Sequence, residues 1–134
     1  MHVQPYLNFD GRCEEALEFY KTAIGAKVRM LMRWKDSPDQ SMCTPDNANK
    51  VMHSQFDIGE STVMASDGRN SGKPNFHGIA LSISAGSEAK ADGLFAGLAA
   101  GGQVQMQLGK TFFSPRFGML TDKFGVGWMI VTQS

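Results

Sequence analysis

Several things are scarce in this sequence. Its 134 residues include two cysteines, Cys13 and Cys43. Two are too few for a disulfide framework, and they lack the paired C-x-x-C spacing of zinc or redox motifs. Neither sign of charge is in excess: 13 basic residues stand against 13 acidic ones, for a net charge of +0. That excludes the clustered basic surplus of a nucleic-acid-binding surface. No apolar run approaches the roughly 18 residues of a membrane span, so no membrane partner is expected. The opening MHVQPYLNFDGR lacks the basic start and apolar core of a secretory signal. What remains is the expectation of a cytoplasmic single domain. A chain of this length can bury about two-thirds of its unfolded surface, so it needs no metal or disulfide to fold.

Glycine and methionine are abundant instead, with 15 and nine residues, glycine well above its usual ~7%. Tyr6–Phe9 alternates as a short strand. Asp10-Gly11 breaks it, and Asp10 is expected to cap a helix over Arg12–Ile24. Cys13, Ala16, Leu17, Tyr20 and Ile24 fall at helical spacing there, Glu14, Glu15 and Glu18 face away, and Gly25 stops it. Cys13, one turn ahead of Leu17, reads as a small buried hydrophobe, and Cys43 falls in a polar loop. A strand over Val28–Trp34 follows, then a long turn-rich loop, Lys35–Asn49. Loops of that length in small domains are usually functional lids or disordered connectors. Val51–Ile58 and Ser61–Ser66 read as a hairpin about Gly59-Glu60.

After a polar break at 67–75 the pattern restarts. A strand is predicted over His77–Ser84 and a helix over Glu88–Ala100 capped by Ser87 and ended by Gly101-Gly102. Strands over Val104–Leu108, Phe117–Thr121 and Trp128–Thr132 complete it. The order strand, helix, strand, strand, strand thus occurs twice, as modules of about 1–70 and 75–134 with negligible residue identity between them. The fold class is α+β, two βαβββ modules. Leu7, Phe9, Leu17, Ile79, Leu81, Leu94 and Phe95 are the expected core beneath the helices.

This doubled order resembles the vicinal oxygen chelate superfamily, which includes glyoxalase I, bleomycin-resistance proteins and extradiol dioxygenases. The segments YLNFDGRCEEALEFYKTAIGA, VMHSQFDIG, VMASDG and LTDKFGVGWMI are similar to its PhnB-like group, which carries a 3-demethylubiquinone methyltransferase-like label. The resemblance implies cupped mixed sheets around a cavity for small ligands or metals, and a homodimer. It does not imply one function, because sites are grafted onto folds.

Metal-using members place ligands on the first and last strand of each half. Carried onto this chain, those positions are Gln4, Ala65, Gly78 and Val131, of which only Gln4 offers a ligand atom. A divalent cation needs several converging carboxylate or imidazole ligands. None of the five glutamates, Glu14, Glu15, Glu18, Glu60 and Glu88, lies in a predicted strand. His77 adjoins Gly78, but a one-residue shift on a strand turns a side chain to the opposite face. No metal and no cofactor are therefore expected. A methyltransferase would also need a pocket for its methyl donor, usually in a longer, doubly wound sheet.

Other chemistry is sparse. His53 shares a strand face with Gln55 and Asp57, and could exchange protons near neutral pH if that face lines a cavity. The alternative is a solvated strand face. Asp67 and Asp122 read as turn formers. No phosphate loop, dinucleotide motif or nucleophile elbow is present. Gln4, Tyr6, Trp34, Gln55 and Met129 are the candidate lining of a ligand cavity, with methionine and aromatic strands suiting an apolar molecule. The segment Thr111–Gly118 contains three phenylalanines and Arg116. It reads either as a rim that steers an anion or as a dimer contact shielding Phe112, Phe113 and Phe117. The leading expectation is a metal-free, small-molecule-binding homodimer. The alternatives are an isomerase, lyase or transferase acting through His53, metal-dependent glyoxalase-type chemistry, or a protein of interaction alone.

Overall fold

A computed structural model describes residues 1–68 and 72–133. The polar break at 67–75 therefore includes Arg69, Asn70 and Ser71, which lie outside the described residues, as does Ser134. The chain divides into two compact units, Met1–Pro74 and Asn75–Ser134.

The first unit opens with β1 (Tyr6–Asn8) and α1 (Cys13–Ile24), followed by β2 (Lys27–Arg33), β3 (Val51–Ile58) and β4 (Ser61–Ser66). These form a sheet in the order β1-β4-β3-β2, with β1 parallel to β4 and the other pairs antiparallel. The helix forms where the apolar spacing demands it, with Cys13, Ala16, Leu17 and Tyr20 buried on one stripe. Phe56 of β3 stacks on Tyr20 at 5.7 Å between ring centroids, and Ser54 Oγ lies 3.7 Å from Cys13 Sγ. This face of the sheet is thus the one that packs on α1. Gly25 takes a left-handed φ of 69°. Its N–H donates to Lys21 O, and the Ala26 N–H to Tyr20 O, a pairing that satisfies the orphan carbonyls of the last turn.

The second unit repeats the plan with β5 (Ala80–Ala85), α2 (Glu88–Ala99), β6 (Gln103–Gly109), β7 (Phe117–Thr121) and β8 (Gly127–Thr132), in the sheet order β5-β8-β7-β6. Ser87 Oγ accepts from the Lys90 N–H at 3.1 Å. Ala91, Phe95 and Leu98 face Leu120, Trp128 and Ile130 in the core. A Cβ on Gly118 would stand 2.6 Å from Phe95 Cε2, so the bare backbone there is what lets Phe95 seat. The two modules share one topology, and the fold is α+β.

Four expectations change. Trp34 leaves the strand for a short 3-10 turn, Trp34–Asp36, where it is buried. The strand expected from His77 starts at Ala80, because Gly78 adopts a φ of 85° and turns the chain. Ile79, expected in the core, is consequently 69% exposed ahead of the first paired residue. Leu81 and Leu94 are only half-buried, Leu81 because β5 is an edge strand with one neighbour.

The helix caps also differ from expectation. Asp10 does not cap α1; it sits at φ 50°. The cap comes from Asp67, whose Oδ1 accepts from the N–H groups of Gly11 (2.7 Å) and Cys13 (2.8 Å) while Oδ2 accepts from Val51 N–H (2.8 Å). Far from being a simple turn former, Asp67 ties α1 to β3 from the end of β4. Asp122 plays a comparable part in the second unit. Its Oδ1 accepts from Phe124 and Val126 N–H, and its Oδ2 from Trp128 Nε1–H at 2.8 Å.

Candidate functional site

Alternation along β1, β3 and β4 puts Tyr6, Asn8, His53, Gln55, Met64 and Ser66 on the sheet face turned away from α1. Register then sets which of them touch. Tyr6 pairs with Met64 and Met64 with Gln55, which brings Tyr6 across β4 toward His53. The Tyr6 hydroxyl lies 2.9 Å from His53 Nδ1, and Gln55 Nε2 lies 3.4 Å from His53 Nε2. The rings of Tyr6 and His53 are 5.5 Å apart. The imidazole thus has a polar partner at each ring nitrogen, the Tyr6 hydroxyl at Nδ1 and the Gln55 amide at Nε2. On the same face Asp57 is bonded to Arg29 and Thr62, and the Arg29 guanidinium holds its carboxyl below the usual range.

Tyr6 also lines a pocket of about 520 Å³ at one end of this sheet. Asn8 and Ser66 form its floor beside Tyr6, and Met52 enters from the start of β3. Trp34, Ser37, Asp39 and Met42 close the loop side, and Gly68 completes the rim. Ser66 Oγ donates to Asn8 Oδ1 and accepts from Gly68 N–H. The loop wall is held by its own side chains. Gln40 Nε2 donates to Ser37 O at 2.5 Å, Asn47 Nδ2 to Met42 O at 2.9 Å, and the Lys35 N–H to Ala48 O at 3.0 Å. Asp39 Oδ1 accepts from the Ser41 N–H, and this bond together with the Ser41 hydroxyl holds its carboxyl below the ordinary range.

The expected residues divide accordingly. Tyr6 and Trp34 line the pocket, and His53 and Gln55 join it through Tyr6. Gln4 is exposed and outside the lining, and Met129 lies on β8 of the second unit. Arg116 Nε lies 3.5 and 3.4 Å from the carboxylates of Glu88 and Asp92 on α2, ion pairs that leave this nitrogen without a hydrogen bond among the described residues. Phe117, expected to be covered by a partner, is already buried within the single chain. Asn8, Ser37, Asp39, Met42, Met52, Ser66 and Gly68 were missed; for Ser37, Asp39 and Met42 the signal was the unusual length of the 35–49 loop.

The residues do not fit a metal centre. Of the four carried-over positions, Ala65 is fully buried on the α1 side, one residue out of register with the open face. Gly78 is in a turn rather than a strand. Among the described residues no group of three His, Cys, Asp or Glu side chains could hold an ion.

The family described as 3-demethylubiquinone-9 3-methyltransferase matches residues 1–131. The chain belongs to this family, the PhnB-like group. Protein YjdN of Escherichia coli is 31% identical, over 97% of this chain and 94% of its own. The crystal structure of PA1353 from Pseudomonas aeruginosa is 37% identical with a TM-score of 0.88, covering 99% and 98% of the two chains. A PhnB protein from Bacillus cereus is 26% identical with a TM-score of 0.80, covering 98% and 99%. A glyoxylase/bleomycin resistance protein/dioxygenase domain from Frankia, 14% identical with a TM-score of 0.73 over 100% and 98%, shares the fold. PhnB-like membership thus accounts for the doubled module. No helix among the described residues is long and apolar enough to cross a membrane.

Proposed function

We propose that the first module of this PhnB-like protein holds a small organic molecule, without a metal ion, in the pocket between β1 and the 37–42 turn. The pocket's lining carries this reading. A volume of about 520 Å³ falls within the roughly 300–1,000 Å³ of small-molecule sites. Trp34, Met42 and Met52 supply apolar wall, Asn8 and the serines a few fixed polar groups, and Tyr6 a hydroxyl oriented by His53. The family description names methyl transfer, and the pocket's volume lies in the range of a drug-sized ligand. Gln4 and Met129 are not part of this proposal. Native mass spectrometry of freshly purified protein should show a retained organic mass that disappears in Met52→Glu, with no metal retained. A protein that carries no such mass, and whose Met42 and Met52 methyl signals ignore every member of an aromatic fragment set, would refute the reading.

The Tyr6–His53 hydrogen bond favours a second reading, in which the pair moves a proton on the bound molecule as an isomerase, lyase or transferase would require. Turnover abolished in His53→Ala, with ligand affinity kept, would select it over simple binding. A cytoplasmic homodimer belongs to both readings.

A further inference from the structure

We propose that this pocket selects an organic cation: an ammonium or similar group on an apolar body, with Asp39 at the rim and the Trp34 and Tyr6 rings against it. The inference rests on the pocket reading above and adds the charge of the ligand. Among the nine described lining residues, Asp39 is the one with an ionised side chain at neutral pH, and none of them is Lys, Arg or His. Arg33, which precedes Trp34, is engaged elsewhere. Arg33 donates to Glu14 Oε2 on α1 at 2.7 Å and to Asn49 O at 3.0 Å, next to the helix rather than in the pocket. An anion entering the pocket would meet this carboxylate, with no cationic side chain among the described lining residues. A cation would meet that carboxylate and aromatic faces whose quadrupoles attract it. The thioethers of Met42 and Met52 add soft, polarizable contact for the apolar remainder. Asp39 is also held in place, since Oδ1 accepts from the Ser41 N–H at 2.9 Å and the Asp39 N–H donates to Ser37 Oγ. Its Oδ1 is committed to the turn. Because Asp39 is exposed, the attraction is partly screened by water and salt, and the selectivity is modest.

Three probes of nearly equal shape separate the charge from the pocket: the phenethyltrimethylammonium ion, the tertiary alcohol in which C(CH3)2OH replaces its N(CH3)3 group, and phenylbutyrate. Binding is read from the methyl signals of Met42 and Met52 in the full-length protein. The ammonium ion should bind about 10-fold more tightly than the alcohol, with phenylbutyrate weakest. Asp39→Asn keeps the acceptor for Ser41 N–H and so keeps the turn. It should bring the ammonium ion to within about two-fold of the alcohol. Equal binding of all three probes to the unaltered protein would overturn cation selection and leave the pocket reading standing. A preference that survives Asp39→Asn would overturn the assignment to Asp39. No methyl shift with any probe would overturn cation selection, and together with the absence of any retained organic mass it would overturn the pocket reading as well.

Discussion

At the residue scale, two buried aspartates hold more backbone than their place in the sequence implies. Asp67 is 4% and Asp122 3% exposed. Asp67 accepts three backbone N–H groups drawn from the start of α1 and from β3. Replacing it with Ala leaves three donors without their acceptor, each worth about 1 kcal/mol or more. Asp67→Ala should therefore lose about 3 kcal/mol, near 10 °C in Tm for a chain of this size, as urea and thermal unfolding would measure. A loss under about 1 kcal/mol would show that water replaces the carboxylate. Cys13 offers a second test. Burial pushes its thiol up to about 12 from 9.0, with the Ser54 hydrogen bond opposing that and Asp67 adding to it. A raised folded pKa contributes stability that is complete below the unfolded value and lost as pH climbs through the folded one. Stability should fall between about pH 9 and 12 by up to about 1.4 kcal/mol per pH unit, and Cys13→Ala should flatten that slope. Thiol reagents at neutral pH should label Cys43 and spare Cys13.

At the scale of elements, glycines separate by what surrounds them. Gly93 lies within α2 with nothing within 4 Å of a built Cβ, so Gly93→Ala should stabilise by about 0.8 kcal/mol through helix propensity. Gly102 is different: its Cβ would fall 2.2 Å from Thr121 O, a backbone atom of β7. Gly102→Ala must push β6 away from β7 and should cost roughly 1–3 kcal/mol. Paired denaturation curves of the two variants check both signs at once, and two losses of equal size would mean the contact around Gly102 yields. The Glu14–Arg33 bridge between α1 and β2 is half-exposed on the Glu14 side. It keeps the Glu14 carboxyl below its usual range, a surface contribution of a few tenths of a kcal/mol that disappears as pH falls through the folded value.

At the scale of the whole molecule, assembly is the open quantity, and we propose a homodimer of about 29 kDa, twice the 14.6 kDa chain. Phe112 is 100%, Ile79 69% and Phe113 49% exposed in the second unit, large apolar groups that a matching patch on a second copy would cover. Edge strands such as β6 invite the same pairing. Light scattering at tens of micromolar should give the dimer mass, and Phe113→Asp should weaken it. A monomer at that concentration removes the dimer. A dimer indifferent to Phe113→Asp moves the interface elsewhere.

Much of the fold was legible because its signals are local. Helical spacing at Cys13, Leu17 and Tyr20, the stop at Gly25, and alternation through β3 and β4 depend on residues within one element, and the sequence by itself determined the order of elements and their doubling. The pocket was legible only in part. Tyr6 and His53 lie 47 positions apart, and only the register of β1 on β4 and β4 on β3 brings them within a hydrogen bond. Asp67 had the appearance of a turn residue because its three partners come from distant segments. Ile79 had the pattern of a core residue because hydropathy does not reveal where an edge strand begins to pair. Trp34 and Asp39 share a pocket through the folding of a loop whose bonds run between its own side chains and backbone, with no period to betray them. Local periodicity determined the elements; strand register and long-range hydrogen bonds, which tertiary packing alone selects, decided the site.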